Sequence, residues 1–267
     1  VNVPPELLDD EVNAPAGLLD DEVNALAGLL DEAALAGRAV PRLTGTADLG
    51  VPAAYQVQRA TIERRLARGE RVIGVKMGFT SRAKMVQMGV DDVIWGLLTD
   101  AMLVRNDLDT AGLIHPRIEP EIAFLLERPV RTPADAAAAV GGVAVGYEVL
   151  DSRYEGFSFT LADVIADNAS ACGFGHGPWH RPRDVANLGL LMEIDGRPVA
   201  SGSSAAILGD PLRSLTAAAR LASAAGIELQ PGWVVLAGAA TAAVPLPAGA
   251  HVRVAAAGLG HVEVTTR

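Results

Sequence analysis

From residue 18 to 36, and again from 52 to 68, apolar side chains return at every third or fourth position. That is the period of a helix with one buried stripe. Asp48 near the start of the second segment and Gly69 just past its end suit helix capping. Residues 71–75 predict a strand closed by a turn at Gly78, and residues 81–88 a short helix stopped by Gly89. Beyond Ile114 the texture changes. Short apolar runs broken by Gly and Pro predict strands over 118–126 and 143–150, then a helical turn over 161–166. Residues 188–194 and 198–201 predict a hairpin around Asp195-Gly196. Asp210-Pro211 opens a helix over 212–225, and strands at 234–236, 251–255 and 261–265 finish the chain. Helices early and strands late describe a mixed α+β fold, without the regular alternation of a doubly wound sheet.

An 11-residue repeat opens the sequence: LLDDEVNAPAG at 7–17, LLDDEVNALAG at 18–28, and a degraded third copy from Leu29. Eleven residues make close to three helical turns, so Leu and Val keep to one stripe. Pro15 interrupts the first copy, so the helix is expected from residue 18, with 1–17 an acidic, disordered extension. The repeat either lengthens an ordinary helix or offers an acidic helix to a partner. It also holds the charge. Nine of the 32 acids fall in residues 1–37, where there is no Lys or Arg, which leaves 22 basic against 23 acidic residues beyond. A near-neutral body has no field to gather nucleic acid or an anionic membrane. No apolar run approaches the about 20 residues that span a bilayer, and the acidic start does not read as a signal peptide. The single cysteine, Cys172, excludes an intramolecular disulfide and fits a reducing cytoplasm, the expected location.

Candidate chemistry gathers at three acids. In a strand over 118–126, Glu119 and Glu121 point to one side while their apolar neighbours face the other. Adjacent carboxylates repel unless one is protonated or both share a cation, and hard oxygen ligands suit Mg²⁺ or Mn²⁺. An exposed strand edge with alternating charge would look the same. Glu148 weighs against that, as a lone acid inside a second apolar run, where burial without a partner costs several kcal/mol, of order. A third metal ligand explains it, and so does a salt bridge to Arg153 or Arg117. The chain has 20 Arg but only two Lys, Lys76 and Lys84. Lysine shifts its pKa and exchanges a proton where arginine does not, which singles out Lys76; Lys84 is expected to be an exposed helical lysine. Cys172 beside His176 and His180 carries no thiol-enzyme signature and is expected to be structural. The Gly-rich stretch 202–209 lacks the Lys-Ser/Thr ending of a phosphate loop.

Several stretches together resemble one family: Gly74-Val75-Lys76-Met77-Gly78-Phe79-Thr80-Ser81, His115-Pro116-Arg117-Ile118-Glu119-Pro120-Glu121-Ile122, Glu148-Val149-Leu150-Asp151-Ser152-Arg153-Tyr154 and Ala166-Asp167-Asn168-Ala169-Ser170. It is the 2-keto-4-pentenoate hydratase and 4-oxalocrotonate decarboxylase group of the fumarylacetoacetate hydrolase superfamily. The resemblance runs from about residue 25 to the C-terminus. It implies a mixed, rolled β-sandwich with peripheral helices, residues 18–75 forming an N-terminal helical segment and 76–267 the catalytic domain. It implies Mg²⁺ or Mn²⁺ on Glu119, Glu121 and Glu148, Lys76 beside the metal, and Ser170 on the substrate carboxylate. Asp100 matches an acidic position near the family's active site. Thr241 is taken as a further substrate contact, in a stretch that lacks the Thr and second Gly of the family's usual Thr-Gly-Gly run.

The resemblance also implies a small 2-oxo acid substrate, a homo-oligomer and, for the decarboxylases, a complex with a partner hydratase. The 76–89 and 151–157 stretches lean to the decarboxylases, whereas Cys172-Gly173 after Ser170 leans to the hydratases. The expected activity is decarboxylation of a 2-oxo-enedioate such as 4-oxalocrotonate. Hydration of a 2-hydroxydienoate is the alternative within the family, and a catalytically idle binding protein the alternative outside it.

Overall fold

The computed structural model describes residues 19–267, so the first repeat copy and the extension expected over 1–17 lie outside the described residues. Helix α1 (Asp20–Ala36) ends on Gly37, whose left-handed φ of 58° lets the chain turn away. Helix α2 (Val51–Ala67) carries a proline in its first turn, where the missing N–H costs nothing. Both helices bury Ala27, Leu30, Ala54 and Val57 in a core shared with Ile165 of a later helix, Leu161–Ala166. Gln58 fixes that layer, donating to the carbonyls of Trp95 at 2.9 Å and Ile165 at 3.0 Å. Among the described residues no helix is long and apolar enough to cross a membrane.

Strands are numbered in chain order. The first sheet contains β1 (Val72–Gly78), β2 (Ile94–Thr99), β4 (Arg117–Leu126), β5 (Val140–Leu150), β6 (Ala171–His176), β9 (Val234–Ala239) and β10 (Val244–Pro245). Its order is β2-β1-β9-β4-β5-β6, with β10 on β4, and only β1 and β9 run parallel. The second sheet holds β3 (Asp107–Leu108), β7 (Gly189–Ile194), β8 (Arg197–Ser203), β11 (His251–Ala256) and β12 (Gly260–Thr266), in the order β3-β12-β11-β7-β8. Ile118, Ile122, Tyr147 and Val149 of the first sheet meet Met192, Val252, Val254 and Val264 of the second in one core. Each such side chain contributes about 1.5–3 kcal/mol by leaving water. The expected mixed sandwich with peripheral helices is what forms. Helix α3 (Arg82–Met88) follows β1, α4 is the Leu161–Ala166 helix, and α5 (Pro211–Ala224) packs Leu215, Ala218 and Ala222 into the main core.

Three features depart from the pattern-based expectation. Strand β1 runs on through Lys76 to Gly78, because β2 and β9 hydrogen-bond its two edges. Strand β2 had no alternation to reveal it, since all six of its residues are buried. Strand β6 carries two glycines and lies against β5. The first sheet is curled, and its edge strands are joined across the concave side. Asn168, just before β6, accepts from Leu97 N–H of β2 at 2.8 Å and donates to the Leu97 carbonyl at 2.9 Å. The result is a half-barrel whose concave face holds the polar residues described next.

Candidate active site

Alternation along β4 sends Ile118 and Ile122 into the sandwich core and leaves Glu119 and Glu121 on the concave face. On β5, Tyr147 and Val149 enter the same core and leave Glu148 opposite. The register then sets Glu119 directly across from Glu148. One carboxylate oxygen from each of the three glutamates lies within 4.8 Å of the others. Glu121 and Glu148 are wholly buried, and Glu119 is half-buried at the cavity wall.

Such a group is unfavourable on its own. Burial, then the neighbouring Glu148 charge, pushes the Glu119 carboxyl up to about 8. The same causes hold Glu121 well above the usual carboxylate range. Burial raises Glu148 as well, while Lys76 opposes the rise. Gly238 N–H donates to Glu121 Oε2 at 2.7 Å, yet Glu121 Oε1 and Glu148 Oε1 have no hydrogen-bond partner. Buried carboxylate oxygens without donors, converging from two strands, fit a hard divalent cation. Gly238 itself has φ +110°, and a Cβ there would lie 2.1 Å from Thr80 Oγ1, so no other residue brings that N–H to Glu121.

Lys76 completes the cluster. Its ammonium is 3% exposed and lies 3.0 Å from Glu148 Oε2, so Glu148 takes its ion pair from Lys76 rather than from Arg153 or Arg117. Lys76 Nζ also donates to the Ala169 carbonyl at 2.9 Å. That carbonyl is aimed by three successive left-handed residues, Asn168, Ala169 and Ser170, with φ of 48°, 52° and 58°. Each costs about 1–2 kcal/mol for a residue with a Cβ. The turn is clamped from behind by Arg153, which pairs with the Asp167 carboxylate and donates to the Asp151 and Asp167 carbonyls. Burial pushes Asp167 up to about 6 against the pull of Arg153. Ser170 is buried, and its hydroxyl donates to Asp167 Oδ2 at 3.4 Å.

The cluster opens into a cavity of about 610 Å³ lined by Lys76, Lys84, Arg117, Glu119, Ser170 and Thr241, with Phe79, Phe157 and Phe159 as apolar walls. Of the residues singled out in the sequence, the structure thus brings the three glutamates, Lys76, Ser170 and Thr241 together. The Thr241 hydroxyl donates to the Ala242 carbonyl at 3.2 Å. Asp100 is not among them: it follows β2, accepts from Arg71 N–H at 2.9 Å and pairs with the Arg71 guanidinium at 3.0 Å. Lys84 departs from the expectation the other way. It is half-buried and lines the cavity instead of pointing into solvent. The Ala169 carbonyl and Gly238 N–H are backbone groups that no side-chain pattern could reveal. Burial pushes the Cys172 thiol up to about 11, as suits a structural cysteine. His115 packs against Phe157 with 5.1 Å between ring centres and the rings inclined at 52°.

Residues 72–267 match the family described as "Fumarylacetoacetate (FAA) hydrolase C-terminal". The chain is 53% identical over 241 residues to a 4-oxalocrotonate decarboxylase from Pseudomonas sp., covering 88% of this chain and 94% of that one. The chain belongs to the fumarylacetoacetate hydrolase family. A 2-hydroxyhexa-2,4-dienoate hydratase from Comamonas testosteroni is 34% identical over 241 residues, covering 86% and 91% of the two chains. A solved 4-oxalocrotonate decarboxylase from Pseudomonas putida G7, complexed with magnesium and adipate, superposes with a TM-score of 0.90 at 37% identity. It covers 94% of this chain and 99% of that one, and the same enzyme is also known with calcium and acetate. Within the family this chain falls in the group of 4-oxalocrotonate decarboxylases and dienoate hydratases, and it is an enzyme of that group. Its cofactor is a divalent cation, for which Glu119, Glu121 and Glu148 are the candidate ligands.

Proposed function

We propose that this enzyme decarboxylates a 2-oxo-enedioate such as 4-oxalocrotonate, with Mg²⁺ as the working cation and Mn²⁺ as a substitute. The observation that carries this reading is the convergence of buried Glu121 and Glu148, half-buried Glu119 and the Lys76 ammonium on one cavity. The choice of decarboxylation over hydration is supported by relatives at 53% and 40% identity that are 4-oxalocrotonate decarboxylases, while the hydratases lie between 34% and 39%.

Bound by Glu119, Glu121 and Glu148, the cation would supply Lewis-acid withdrawal of electrons from the 2-oxo acid head. The remaining work falls to the chain. In 2-oxo-3-hexenedioate the bond between C5 and the distal carboxylate breaks and CO₂ leaves. Its electron pair shifts along the conjugated carbons to the 2-oxo oxygen. Lys76, held by Glu148 and the Ala169 carbonyl, offsets the charge that develops there and delivers the proton that gives 2-hydroxy-2,4-pentadienoate. Ser170, locked by the 168–170 turn, orients the substrate carboxylate at the head. Phe79, Phe157 and Phe159 keep water from the departing end.

The test is turnover of 2-oxo-3-hexenedioate with Mg²⁺. Release of CO₂ with a 2-hydroxydienoate product is the expected result. Hydration of 2-hydroxypenta-2,4-dienoate to a 4-hydroxy-2-oxo acid, without CO₂ from the diacid, would assign the hydratase reaction instead. That reading is favoured by the Cys172-Gly173 pair that follows Ser170.

A further inference from the structure

Four hydroxyl side chains line the cavity: Thr80, Ser81, Ser170 and Thr241. Three of them are engaged within the protein. Ser81 Oγ accepts from Lys84 N–H at 3.2 Å, Ser170 donates to Asp167, and Thr241 donates to the Ala242 carbonyl. The Thr80 hydroxyl has no hydrogen-bond partner among the described residues, although Thr80 is only 3% exposed. The Tyr147 and Ser214 hydroxyls also lack partners, but they are sealed away, whereas the Thr80 oxygen keeps contact with the cavity. A buried hydroxyl without a partner is unfavourable, so one in the wall of a reaction cavity calls for a ligand.

The backbone fixes where that hydroxyl stands. Thr80 lies in the link between β1 and α3. Phe79, just before it, has a left-handed φ of 59°, which a residue with a Cβ seldom adopts. The Thr80 carbonyl accepts from Leu208 N–H at 2.9 Å, and Leu208 is left-handed too, with φ 51°. Backbone strain of this kind gathers at functional sites. It sets the side chain over Gly238, where a Cβ would lie 2.1 Å from Thr80 Oγ1 and 2.6 Å from its methyl carbon. Gly238 N–H in turn donates to Glu121 Oε2 at 2.7 Å. The free hydroxyl therefore stands beside the peptide that holds a candidate metal ligand, where the glutamates converge.

We infer that Thr80 is a further substrate-binding residue, whose hydroxyl donates to an oxygen of the 2-oxo acid head. This rests on the 2-oxo acid reading above and adds a neutral donor to the charged groups already placed there. The oxygens of such a head are acceptors, and a threonine hydroxyl has one proton to give. Being neutral, it adds a directed hydrogen bond without altering the charge of the glutamate cluster.

Two variants separate donation from packing. Thr80→Val keeps the shape and removes the hydroxyl, whereas Thr80→Ser keeps the hydroxyl and removes the methyl group. Two unreactive probes, pyruvate and 2-oxoadipate, are titrated calorimetrically into the Mg²⁺-loaded proteins. Thr80→Val should weaken both probes by about tenfold or more, the scale of a hydrogen bond to a charged group. Its metal-free urea midpoint should equal or exceed that of the native chain, because an unpartnered hydroxyl has gone. Thr80→Ser should bind both probes within about threefold of the native chain, the scatter of a conservative change, with a lower midpoint from lost packing. A Thr80→Val protein that binds both probes like the native chain overturns the inference. Equal weakening by Thr80→Val and Thr80→Ser also overturns it, by giving Thr80 a packing role alone. A loss confined to 2-oxoadipate places the hydroxyl beyond the head and overturns it too. In each of these cases native binding of pyruvate leaves the 2-oxo acid reading standing. A native chain that binds neither probe overturns that reading and the inference with it.

Discussion

Lys76 Nζ lies 3.0 Å from Glu148 Oε2, and both side chains are shut away from solvent, at 3% and 0% exposure. A buried pair of this kind is held by mutual need, since either charge alone would be stranded. Lys76 has a second anchor in the Ala169 carbonyl, so its ammonium is fixed rather than merely nearby. Lys76→Met should lower kcat by about 10²-fold or more, the range of a lost acid–base group, while Mg²⁺ still binds. Lys76→Arg should not rescue turnover, because a guanidinium does not give up a proton. Steady-state kinetics with a parallel Mg²⁺ titration would check both outcomes.

The metal-free protein should lose stability as pH rises. Burial and the neighbouring Glu148 charge push the folded Glu119 carboxyl up to about 8, against an ordinary value of 4.5, and hold Glu121 well above its ordinary value as well. Between those values the folded state binds more protons than the unfolded state. Its stabilisation is therefore complete below the ordinary value and disappears as pH climbs through about 8. Urea midpoints of the metal-free protein should fall from pH 6 to pH 9, and saturating Mg²⁺ should reverse the fall. Mg²⁺ binding at pH 7 should also release protons, seen as a heat that depends on the buffer's ionisation enthalpy.

Glu121→Gln separates repulsion from ligation. The amide keeps the shape and still accepts from Gly238 N–H, but removes one of three crowded acids. The metal-free variant should be at least as stable as the native chain, most clearly at pH 9. Its Mg²⁺ affinity should drop more than about 100-fold, because even outer-shell partners of a metal are worth 10–100-fold. Thermal midpoints with and without Mg²⁺ would show the two effects with opposite sign.

The site was legible in the sequence where it is built from strand period and rare residues. Glu119 and Glu121 two apart on β4, a lone acid on β5, and an isolated Lys76 were readable because strand alternation fixes which side chains share a face. What escaped depends on long-range closure. Strand β2 is buried on both faces and so shows no alternation, and the parallel β1–β9 pairing joins residues about 160 apart in the chain. The left-handed run Asn168-Ala169-Ser170 has no glycine to announce it, because tertiary contacts at Leu97 and Arg153 impose it. Lys84 was misjudged for a related reason. A short helix gives no sign of which face looks into a cavity formed by strands far off in sequence.

Gly96 is the test of that turn. A Cβ at Gly96 would stand 2.6 Å from the Asn168 carbonyl and 3.0 Å from its side-chain oxygen, so neither side could yield without moving the turn. Gly96→Ala should cost about 1–3 kcal/mol by overpacking. It should also lower kcat, because the Ala169 carbonyl that holds Lys76 lies in the displaced segment. A crystal structure of the variant, with kinetics at a temperature where it remains folded, would separate the two losses.

Asp100 gives the converse prediction. It sits within a few residues of the half-barrel edge and its position suggested a catalytic role, yet it is one-third exposed and faces an Arg71 side chain that is 82% exposed. The Arg71 N–H and guanidinium together hold its carboxyl below the usual range. It therefore stabilises the fold above its ordinary pKa, and that stabilisation is lost as pH falls through the lowered value. An ion pair this open to solvent contributes little. Asp100→Asn keeps an acceptor for Arg71 N–H, so it should leave kcat/KM and Mg²⁺ affinity within about twofold of the native values, inside the scatter of a surface substitution. The only trace should be a slightly larger stability advantage of the native chain over the variant at neutral pH than at pH 3, measured by urea unfolding. A large drop in kcat/KM would mean that Asp100 reaches the cavity during turnover, through a movement of the 100–102 segment that carries it.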